Sequence, residues 1–327
     1  MSFILGIDQG GTSTRAAVMD LAGNLLGYGR TKGIYYPREG MKAAMHVISE
    51  AVGIALGGAA ATMKDVDMIV AGISGIDWEG DDIYVAGELK KEFGIEDVYA
   101  CNDGEIAYYS GSVSEAGGLL CAGTGANAVF FAPDGSKFVM SDYMKSSLQG
   151  GSAIARRAIE AVFESKIGMY PETKLENMFL GHFGDSNAHE LLYRAMMNPA
   201  FHSELTKTVP KILMTADEGD EVAISVLRSF SDDICANFLA GMKTMDMLDL
   251  ACDVVLAGSV LKGEKNMLTA MITERLAKGA KNAAIINAKL DPIAGACILG
   301  VIKKTGSFSV EMQQRALDTA EQFGLIR

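Results

Sequence analysis

The sequence is poor in the residues that build metal clusters and disulfide frameworks. It has 5 cysteines and 4 histidines among 327 residues, and no two cysteines form a Cys-x-x-Cys pair. Every cysteine lies in an apolar segment, which predicts buried, reduced thiols and no disulfides. The spacing also lacks a zinc or iron–sulfur signature. We expect the scattered histidines to lie at the surface or in helix packing.

Long apolar runs and excess positive charge are missing as well. No apolar stretch reaches the length of a membrane-spanning helix. The chain has 29 Lys and Arg against 41 Asp and Glu, a net charge of −12. Proteins that bind nucleic acid rely on basic surface to displace counterions, so this charge argues against that function. The opening MSFILGID has no basic segment before its apolar run, and we therefore expect no signal peptide and a cytoplasmic location.

Residues 3–20, FILGIDQGGTSTRAAVMD, form the segment around which the rest of the chain is organised. Two short apolar runs, residues 3–7 and 16–19, flank a polar turn at residues 8–15. Short apolar runs with turn signals between them predict a hairpin of buried strands.

The polar turn of this hairpin carries groups that suit a nucleoside triphosphate. Gly10 and Gly11 let the backbone approach a ligand and expose N–H groups to phosphate oxygens. Arg15 adds a fixed positive charge, and Asp8 can hold a hydrated Mg²⁺ beside the phosphates. The alternative is a polar hairpin turn without a ligand. The turn also supplies three hydroxyl donors, from Thr12, Ser13 and Thr14.

Strands alternate with helices along the chain, which predicts an α/β fold with a mostly parallel sheet. The opening pattern of strand, glycine turn, strand, Asp/Gly turn and strand recurs at residues 118–140. We infer two related halves, each presenting a phosphate-type loop to a shared cleft. Residues 151–245 are predicted to be mostly helical, and a final amphipathic helix is predicted near 313–323.

Asp103 is the candidate catalytic base. It follows a predicted buried strand, and ligands in open α/β sheets bind outside the carboxyl ends of the strands. In phosphoryl transfer to an alcohol, a carboxylate orients the hydroxyl and accepts its proton. The alternative is that Asp103 caps the helix that follows.

Two further turns are candidates for holding the nucleotide. Gly123-Thr124-Gly125 could grip phosphates through backbone N–H groups and the Thr hydroxyl, or could be a plain hairpin turn. Gly258-Ser259 follows an apolar strand and suits the close approach of an adenine or ribose. The same two residues also fit a strand-to-helix turn with Ser259 as the cap.

These residues carry a family resemblance. The segment Asp8–Thr14 resembles the first phosphate loop of the actin-like ATPase superfamily, which includes sugar kinases. The segments 72–77, 102–103, 122–127 and 256–260 look like those of the N-acetylglucosamine kinase branch of the BadF/BadG/BcrA/BcrD ATPase family. The motifs occur in the family order and cover most of the chain.

The resemblance implies two ribonuclease-H-like domains with ATP and Mg²⁺ in a cleft between them. The first would comprise residues 1–112 with the C-terminal helix 305–327, and the second 113–304 with a helical insertion at about 151–245. It also implies that Asp103 is the base, that Gly258 and Ser259 contact adenosine, and that a homodimer is compatible with the family. The implied acceptor-binding positions are Ser74, Asp77, Asn102, Asp103, Asn127, Gln149 and Gly151.

One region departs from the family pattern. Amino-sugar kinases of this type carry a Gly-Trp-Gly stretch and then Gly-Asp-Glu-Gly-Ser, whereas residues 141–152 lack the Trp and have Gln149-Gly150 in place of the acidic pair. We therefore expect an ATP-dependent kinase of a sugar or amino sugar with an altered acceptor site. An ATPase that activates a partner enzyme and a non-catalytic nucleotide or sugar sensor are the alternatives.

Overall fold

The computed structural model describes residues 2–140, 143–262 and 266–327. The chain divides into two compact units, the first made of Met1–Glu115 with Ile286–Arg327 and the second of Ala116–Ile285. The strands are β1 (Phe3–Gln9), β2 (Ser13–Asp20), β3 (Leu25–Lys32), β4 (Val66–Ile73), β5 (Val98–Cys101), β6 (Gly117–Ala122), β7 (Ala126–Phe131), β8 (Lys137–Val139), β9 (Asp253–Ala257) and β10 (Ala284–Asn287).

The helices of the first unit cover its sheet, and those of the second confirm the prediction that residues 151–245 are mostly helical. The helices are α1 (Tyr36–Glu39), α2 (Met41–Gly58), α3 (Asp81–Phe93), α4 (Asp103–Tyr109), α5 (Gly150–Lys166), α6 (Lys174–Phe183), α7 (Ala188–Met197), α8 (Phe201–Leu205), α9 (Val209–Asp217), α10 (Glu221–Thr244), α11 (Met267–Gly279), α12 (Pro292–Thr305) and α13 (Val310–Glu321).

Each unit contains one five-stranded sheet, and the two sheets have equivalent strand orders. The first reads β3-β2-β1-β4-β5 and the second, in reverse, β8-β7-β6-β9-β10. In both, the hairpin strands pair antiparallel and the first of them pairs parallel with the next strand of the sheet. The predicted duplication is therefore confirmed. The sheets are mixed and not mostly parallel, because the hairpins β1–β2–β3 and β6–β7–β8 contribute antiparallel pairs.

The first sheet buries both of its faces. Leu5, Ile7 and Val18 face the core under α2, whereas Ile4 and Ala17 face the core under α12. The alternation follows from the period of two along a strand. The same alternation decides on which face of the sheet each polar residue at a strand end lies.

Helix α12 belongs to the first unit, whereas the predicted boundary placed residues up to 304 in the second domain. Small residues explain this position, because they let α12 approach α4 and β1 closely. A Cβ on Gly295 would lie 2.0 Å from the carbonyl oxygen of Ile106, and one on Gly300 would lie 2.3 Å from a methyl of Ile4. No larger side chain could stand at either position without moving the backbone.

The second unit has its own apolar core, in which α5 and α10 pack over the sheet. The long helix α10 begins after Asp220, whose side chain accepts the backbone N–H of Ala223 at 2.9 Å. Phe230, Ile234 and Phe238 are fully buried along one face, as their helical spacing predicts. They form a packing surface.

The five cysteines are unpaired, four of them buried as predicted and Cys121 half-buried. In the three described ranges, no helix combines the length and the apolar character needed to cross a membrane.

Candidate functional site

Asp103 lies at the carboxyl end of β5, as the first residue of α4. The helix is capped by Asn102, whose Oδ1 accepts the backbone N–H of Gly104 at 2.9 Å. The alternative in which Asp103 caps α4 is therefore wrong. Its carboxylate is not occupied as the cap and stands at the edge of the sheet where α/β proteins bind ligands.

The surroundings of Asp103 favour its protonated form. Its pKa is raised from the usual 3.8 to about 7, chiefly because burial disfavours the charge and then because Asp8 and Asp77 are also negative. Backbone hydrogen bonds at Asp103 and Gly104 act in the opposite direction and are weaker. A carboxylate with a pKa near neutrality suits a group that takes up and releases a proton.

Asn102 also bonds Asp77, another of the predicted acceptor-binding residues. Its Nδ2 donates to Asp77 Oδ1 at 3.0 Å and to the carbonyl oxygen of Ile76 at 3.1 Å. The neighbouring Ser74 donates its backbone N–H to the carbonyl oxygen of Gln9 at 2.8 Å. The structure thus brings Asp77, Asn102 and Asp103 together, and anchors Ser74 to the end of β1.

Asp8 and Arg15 face each other across the β1–β2 hairpin, with Arg15 Nη1 3.6 Å from Asp8 Oδ2. The same guanidinium also hydrogen-bonds Asp291, which caps α12. Burial raises the pKa of Asp8 to about 6, although Arg15 opposes the shift. The positive charge of Arg15, which was expected to bind phosphate, is therefore shared between the carboxylates of Asp8 and Asp291. Asp291 was missed by sequence reasoning, and its position directly before Pro292 is the signal that could have found it.

The glycines of the first turn stand beside open space. A Cβ on Gly11 would meet no atom within 4 Å, and one on Gly10 would meet only the Ser13 carbonyl oxygen at 3.9 Å. Neither residue has a positive φ angle. Internal packing and backbone geometry therefore do not require glycine here, which leaves close approach of a ligand as the physical reason for it.

The three hydroxyls of this turn point in different directions. Thr12 is exposed, whereas Ser13 and Thr14 are buried on opposite faces of β2. Ser13 Oγ accepts a hydrogen bond from Arg15 Nε at 3.1 Å. Thr14 Oγ1 is buried with no hydrogen-bond partner among the described residues. Strand alternation thus leaves Thr12 as the hydroxyl that a phosphate in solution can reach directly.

In the second unit, the first residues of α5 hydrogen-bond the turn Gly123-Thr124-Gly125. Gly151 donates its N–H to the Gly123 carbonyl oxygen at 2.8 Å, and Ser152 donates to that of Thr124 at 3.0 Å. The carbonyl groups of Gly123 and Thr124 therefore accept hydrogen bonds from α5.

Gln149 braces the same turn. Its Oε1 accepts the N–H of Ala126 at 3.1 Å, and its Nε2 donates to the Met144 carbonyl oxygen at 3.3 Å. These bonds give Gln149 a structural role beside the acceptor-binding role that the resemblance implied, which stays a prediction. Asn127 lies on β7 opposite Cys121. Ser141 and Asp142, which begin the divergent region 141–152, lie outside the described residues.

Gly258 directly follows β9 and has a conformation that only glycine adopts easily, with φ of +99°. A Cβ there would lie 2.2 Å from the Ala122 carbonyl oxygen. Ser259 does not cap a helix, because α11 begins eight residues later with Asn266 as its cap. The alternative reading of Gly258-Ser259 as a capped strand-to-helix turn is therefore wrong.

A cavity of about 280 Å³ opens beside these turns within the second unit. Gly123, Thr124, Gly151 and Ser259 line it. Further lining residues come from the helical segment, and sequence reasoning missed them, because nothing in a helical segment shows which residues face a distant turn. These residues are Thr206, Lys207, Val209, Pro210 and Leu213.

Comparison with known proteins places the sequence in a family. Residues 5–300 match the model of the BadF/BadG/BcrA/BcrD ATPase family. The chain belongs to this ATPase family. The match covers both units and includes all of the predicted site residues.

Relatives of this ATPase family member include two curated proteins. N-acetyl-D-glucosamine kinase of Dictyostelium discoideum is 25% identical over 324 residues, covering 92% of this chain and 98% of its own. Glucosamine kinase GspK of Vibrio cholerae is 22% identical over 236 residues, covering 72% of this chain and 78% of its own.

A solved structure shares the fold. It is a ROK family glucokinase from Streptomyces griseus in complex with glucose and AMPPNP, with a TM-score of 0.60 at 18% identity. It covers 91% of this chain and 98% of its own. The expected α/β fold of two related domains is confirmed by this match and by the equivalent sheets.

The residues of the first unit fit the Mg²⁺ that an ATPase family implies. No group of three or more His, Cys, Asp or Glu in the described parts of the chain could hold a metal by itself. Asp8 is a single carboxylate in a buried setting that raises its pKa, so a positive partner would stabilise its charged form. Mg²⁺ commonly binds through one or two carboxylates, water and substrate phosphates. Asp8 would hold such an ion through water.

Proposed function

We propose that the protein is an ATP-dependent kinase that transfers the γ-phosphate to a hydroxyl of a sugar or amino sugar. The two curated relatives are named as kinases of N-acetyl-D-glucosamine and glucosamine. The structural neighbour carries glucose and AMPPNP, a sugar and an ATP analogue. Membership of an ATPase family supports ATP as the donor.

The setting of Asp103 is the observation that carries this proposal. As the acceptor oxygen attacks the γ-phosphorus, Asp103 takes the proton of the hydroxyl, and ADP leaves with the electrons of the broken P–O bond. A base works best when its pKa lies near the pH of the reaction, and the pKa of Asp103 is raised to about 7. Hydrogen bonds from the backbone of Asp103 and Gly104 keep the carboxylate in place.

The glycine turns serve the nucleotide in this scheme. Gly11 and Thr12 in the first unit, and Thr124 and Gly125 in the second, offer N–H and hydroxyl donors to phosphate oxygens. The N–H groups of Gly10 and Gly123 close the turns instead, since they donate to the carbonyl oxygens of Ser13 and Gly125. A hydrated Mg²⁺ near Asp8 supplies positive charge to the phosphates when bound. The shared cleft between the halves, and the homodimer compatible with the family, stay predictions. ATP is abundant in the cytoplasm, which is the location we propose for the activity.

The acceptor is a sugar or amino sugar, and a screen of candidate sugars can identify it directly. Asp77 presents a carboxylate that suits the hydroxyls of a sugar, and Asn102 holds this carboxylate in place through Nδ2. Gln149 and Gly150 stand where the amino-sugar kinases carry an acidic pair, so we expect a preference that differs from that of N-acetylglucosamine kinases. Glucosamine, glucose, N-acetylmannosamine and small polyols should be included beside N-acetylglucosamine.

The test is ADP release with Mg²⁺ and ATP across this panel, measured with a coupled assay. At least one sugar should raise ADP release well above the rate without acceptor. Asp103→Asn should then lower kcat by about 10²–10⁴-fold, the scale of a positioned base, with little change in the KM for ATP. Asp82→Asn, on the exposed side of α3, is the matched control and should keep full activity. Near-normal turnover of Asp103→Asn would exclude this residue as the base.

A further inference from the structure

Three neighbouring side chains fix the orientation of the Arg15 guanidinium. Its Nε donates to Ser13 Oγ at 3.1 Å, and its Nη1 donates to Asp291 Oδ1. Asp8 Oδ2 lies 3.6 Å from the same Nη1. The third nitrogen, Nη2, makes no hydrogen bond with the described residues and is not among the buried atoms, so it reaches solvent. Arg15 therefore has a fixed direction and one nitrogen left for a ligand.

Asp291 is itself held in place without the help of Arg15. Its side chain caps α12 by accepting the N–H of Ile293 at 3.3 Å. Its own N–H donates to the Leu325 carbonyl oxygen at 2.9 Å. Because α12 also packs closely against the first sheet, the carboxylate of Asp291 is a rigid reference point for the guanidinium.

A second arginine balances the charge of Asp291. The N–H of Arg327 donates to the Lys289 carbonyl oxygen at 2.8 Å, and this places Arg327 Nη2 3.9 Å from Asp291 Oδ2. The side chains of Arg327, Asp291, Arg15 and Asp8 then alternate in sign and are between 13% and 24% exposed. Charges so far removed from water need partners of opposite sign. Asp291 thus orients Arg15 without leaving an excess of negative charge where phosphates arrive.

The position of Asp8 indicates which phosphate Arg15 can reach. Asp8 and Arg15 are cross-strand partners at the end of the β1–β2 hairpin, and the negative charge of Asp8 raises the pKa of Asp103. The strand order β2-β1-β4-β5 puts Asp8 between Arg15 and the candidate base. In phosphoryl transfer to a hydroxyl, the group beside the base is the γ-phosphoryl, whose charge an arginine can stabilise.

We propose, on the basis of the kinase function above, that Asp291 is a positioning residue that holds Arg15 so that Nη2 binds the γ-phosphoryl group of ATP. A planar guanidinium that is already fixed at two nitrogens loses little conformational freedom when the third binds phosphate. ATP gains this contact, and ADP, which lacks the γ-phosphoryl group, does not.

Two substitutions at Asp291 separate orientation from helix capping and from charge. Asp291→Ser keeps an oxygen that can cap α12, but its side chain is too short to reach Arg15. It should lower kcat/KM for ATP by about 100-fold, the scale of a misplaced contact, and leave the KM for the sugar unchanged. Asp291→Asn keeps both the cap and an acceptor for Nη1, so kcat/KM should stay within about threefold of the parent. An equal loss in both variants, or a gain in both, would overturn the proposal.

Binding measured without turnover keeps this result separate from that of the kinase proposal. Calorimetry on the full chain with Mg²⁺ compares ADP with AMPPNP, an ATP analogue that resists transfer. Asp291→Ser should weaken AMPPNP binding by about tenfold, as expected for a charge-assisted contact, and leave ADP binding within about twofold. If this difference is found and no sugar is phosphorylated, the kinase function fails and the positioning of Arg15 stands. Equal weakening of ADP and AMPPNP would contradict the positioning role.

A double-mutant cycle tests whether Asp291 acts through Arg15. Arg15→Lys keeps a positive charge beside Asp8 and Asp291 but has no second nitrogen to direct at the phosphate. In that background Asp291→Ser should cause no further loss of AMPPNP affinity, whereas a structural role would cause the same loss in both backgrounds and refute the proposal. Asn187→Ser, which exchanges the capping residue of α7 in the second unit, is the matched control and should leave AMPPNP affinity unchanged.

Discussion

Asn102 connects the two loops of the candidate acceptor site by donating from its Nδ2 to Asp77 Oδ1 at 3.0 Å. The other end of the same amide accepts the N–H of Gly104 and starts α4. Because α4 begins with Asp103, one side chain fixes the position of the candidate base and ties it to the segment after β4. A neutral amide can do both, since it is donor and acceptor at once.

Substitutions at Asn102 should separate its two roles. Asn102→Asp keeps a capping oxygen but places another negative charge beside Asp77, so it should raise the pKa of Asp103 further. The acid limb of the kcat/KM profile should then move to higher pH, and the melting temperature should fall, because the Nδ2 bonds to Asp77 and Ile76 are lost. Asn102→Ala loses these bonds and the cap, and the cap alone should cost about 1 kcal/mol of stability, measured by denaturant unfolding. An unchanged pH profile in Asn102→Asp would contradict the electrostatic coupling.

The pH dependence of sugar phosphorylation should report the titration of Asp103. Its pKa is raised to about 7 by burial and by the charges of Asp8 and Asp77, and the base must be deprotonated to act. Therefore kcat/KM should fall about tenfold per pH unit below pH 7. A steeper fall is expected below pH 6, where Asp8, with a pKa of about 6, also takes up a proton. A profile that stays flat between pH 6 and 8 would argue against Asp103 as the base.

The raised pKa of Asp103 also predicts a stability cost at neutral pH. The folded protein binds this proton more tightly than the unfolded chain, so between about pH 4 and 7 stability falls as the pH rises. Asp103→Asn removes the cost and should raise the melting temperature by about 2–4 °C at pH 8. The gain should vanish near pH 3.5, where both states carry the neutral acid. Asp82→Asn should show no such difference when both are followed by calorimetry.

Much of this fold could be predicted because its signals are local. The strand and turn pattern around Gly10 recurs around Gly123, and the structure confirms equivalent sheets for the two halves. The end of helix α3 is another local signal, since Gly94 ends it in a left-handed conformation that glycine adopts easily. Asp103 was found because it directly follows a buried strand.

The features that could not be predicted depend on tertiary packing. The sequence shows three adjacent hydroxyls after Gly11, but strand alternation turns Ser13 and Thr14 to opposite faces and buries them. Asp291 reaches Arg15 only because α12 packs against the first sheet. Lys207 lines the second-unit cavity through the fold of the helical insertion, and no motif marks it.

Two glycine substitutions should have opposite effects, because the two glycines exist for different reasons. Gly11 has an ordinary φ angle and open space around it, so Gly11→Ala should leave stability within about 0.5 kcal/mol of the parent. Its methyl group would occupy the space in which a phosphate approaches the backbone. We therefore expect the KM for ATP to rise about tenfold or more, as the contact lengthens.

Gly258→Ala should instead damage the fold. The φ angle of +99° strains any other residue, at a cost of about 1–3 kcal/mol, and the new methyl would collide with the Ala122 carbonyl oxygen 2.2 Å away. Gly53→Ala, on the exposed side of α2 with no atom within 4 Å of the new methyl, is the control and should stabilise the helix by about 0.5–1 kcal/mol without changing the KM. Thermal melts and ATP titrations of the three variants distinguish these outcomes. An unchanged KM in Gly11→Ala would mean that the first turn does not touch the nucleotide, and the glycines there would need another explanation.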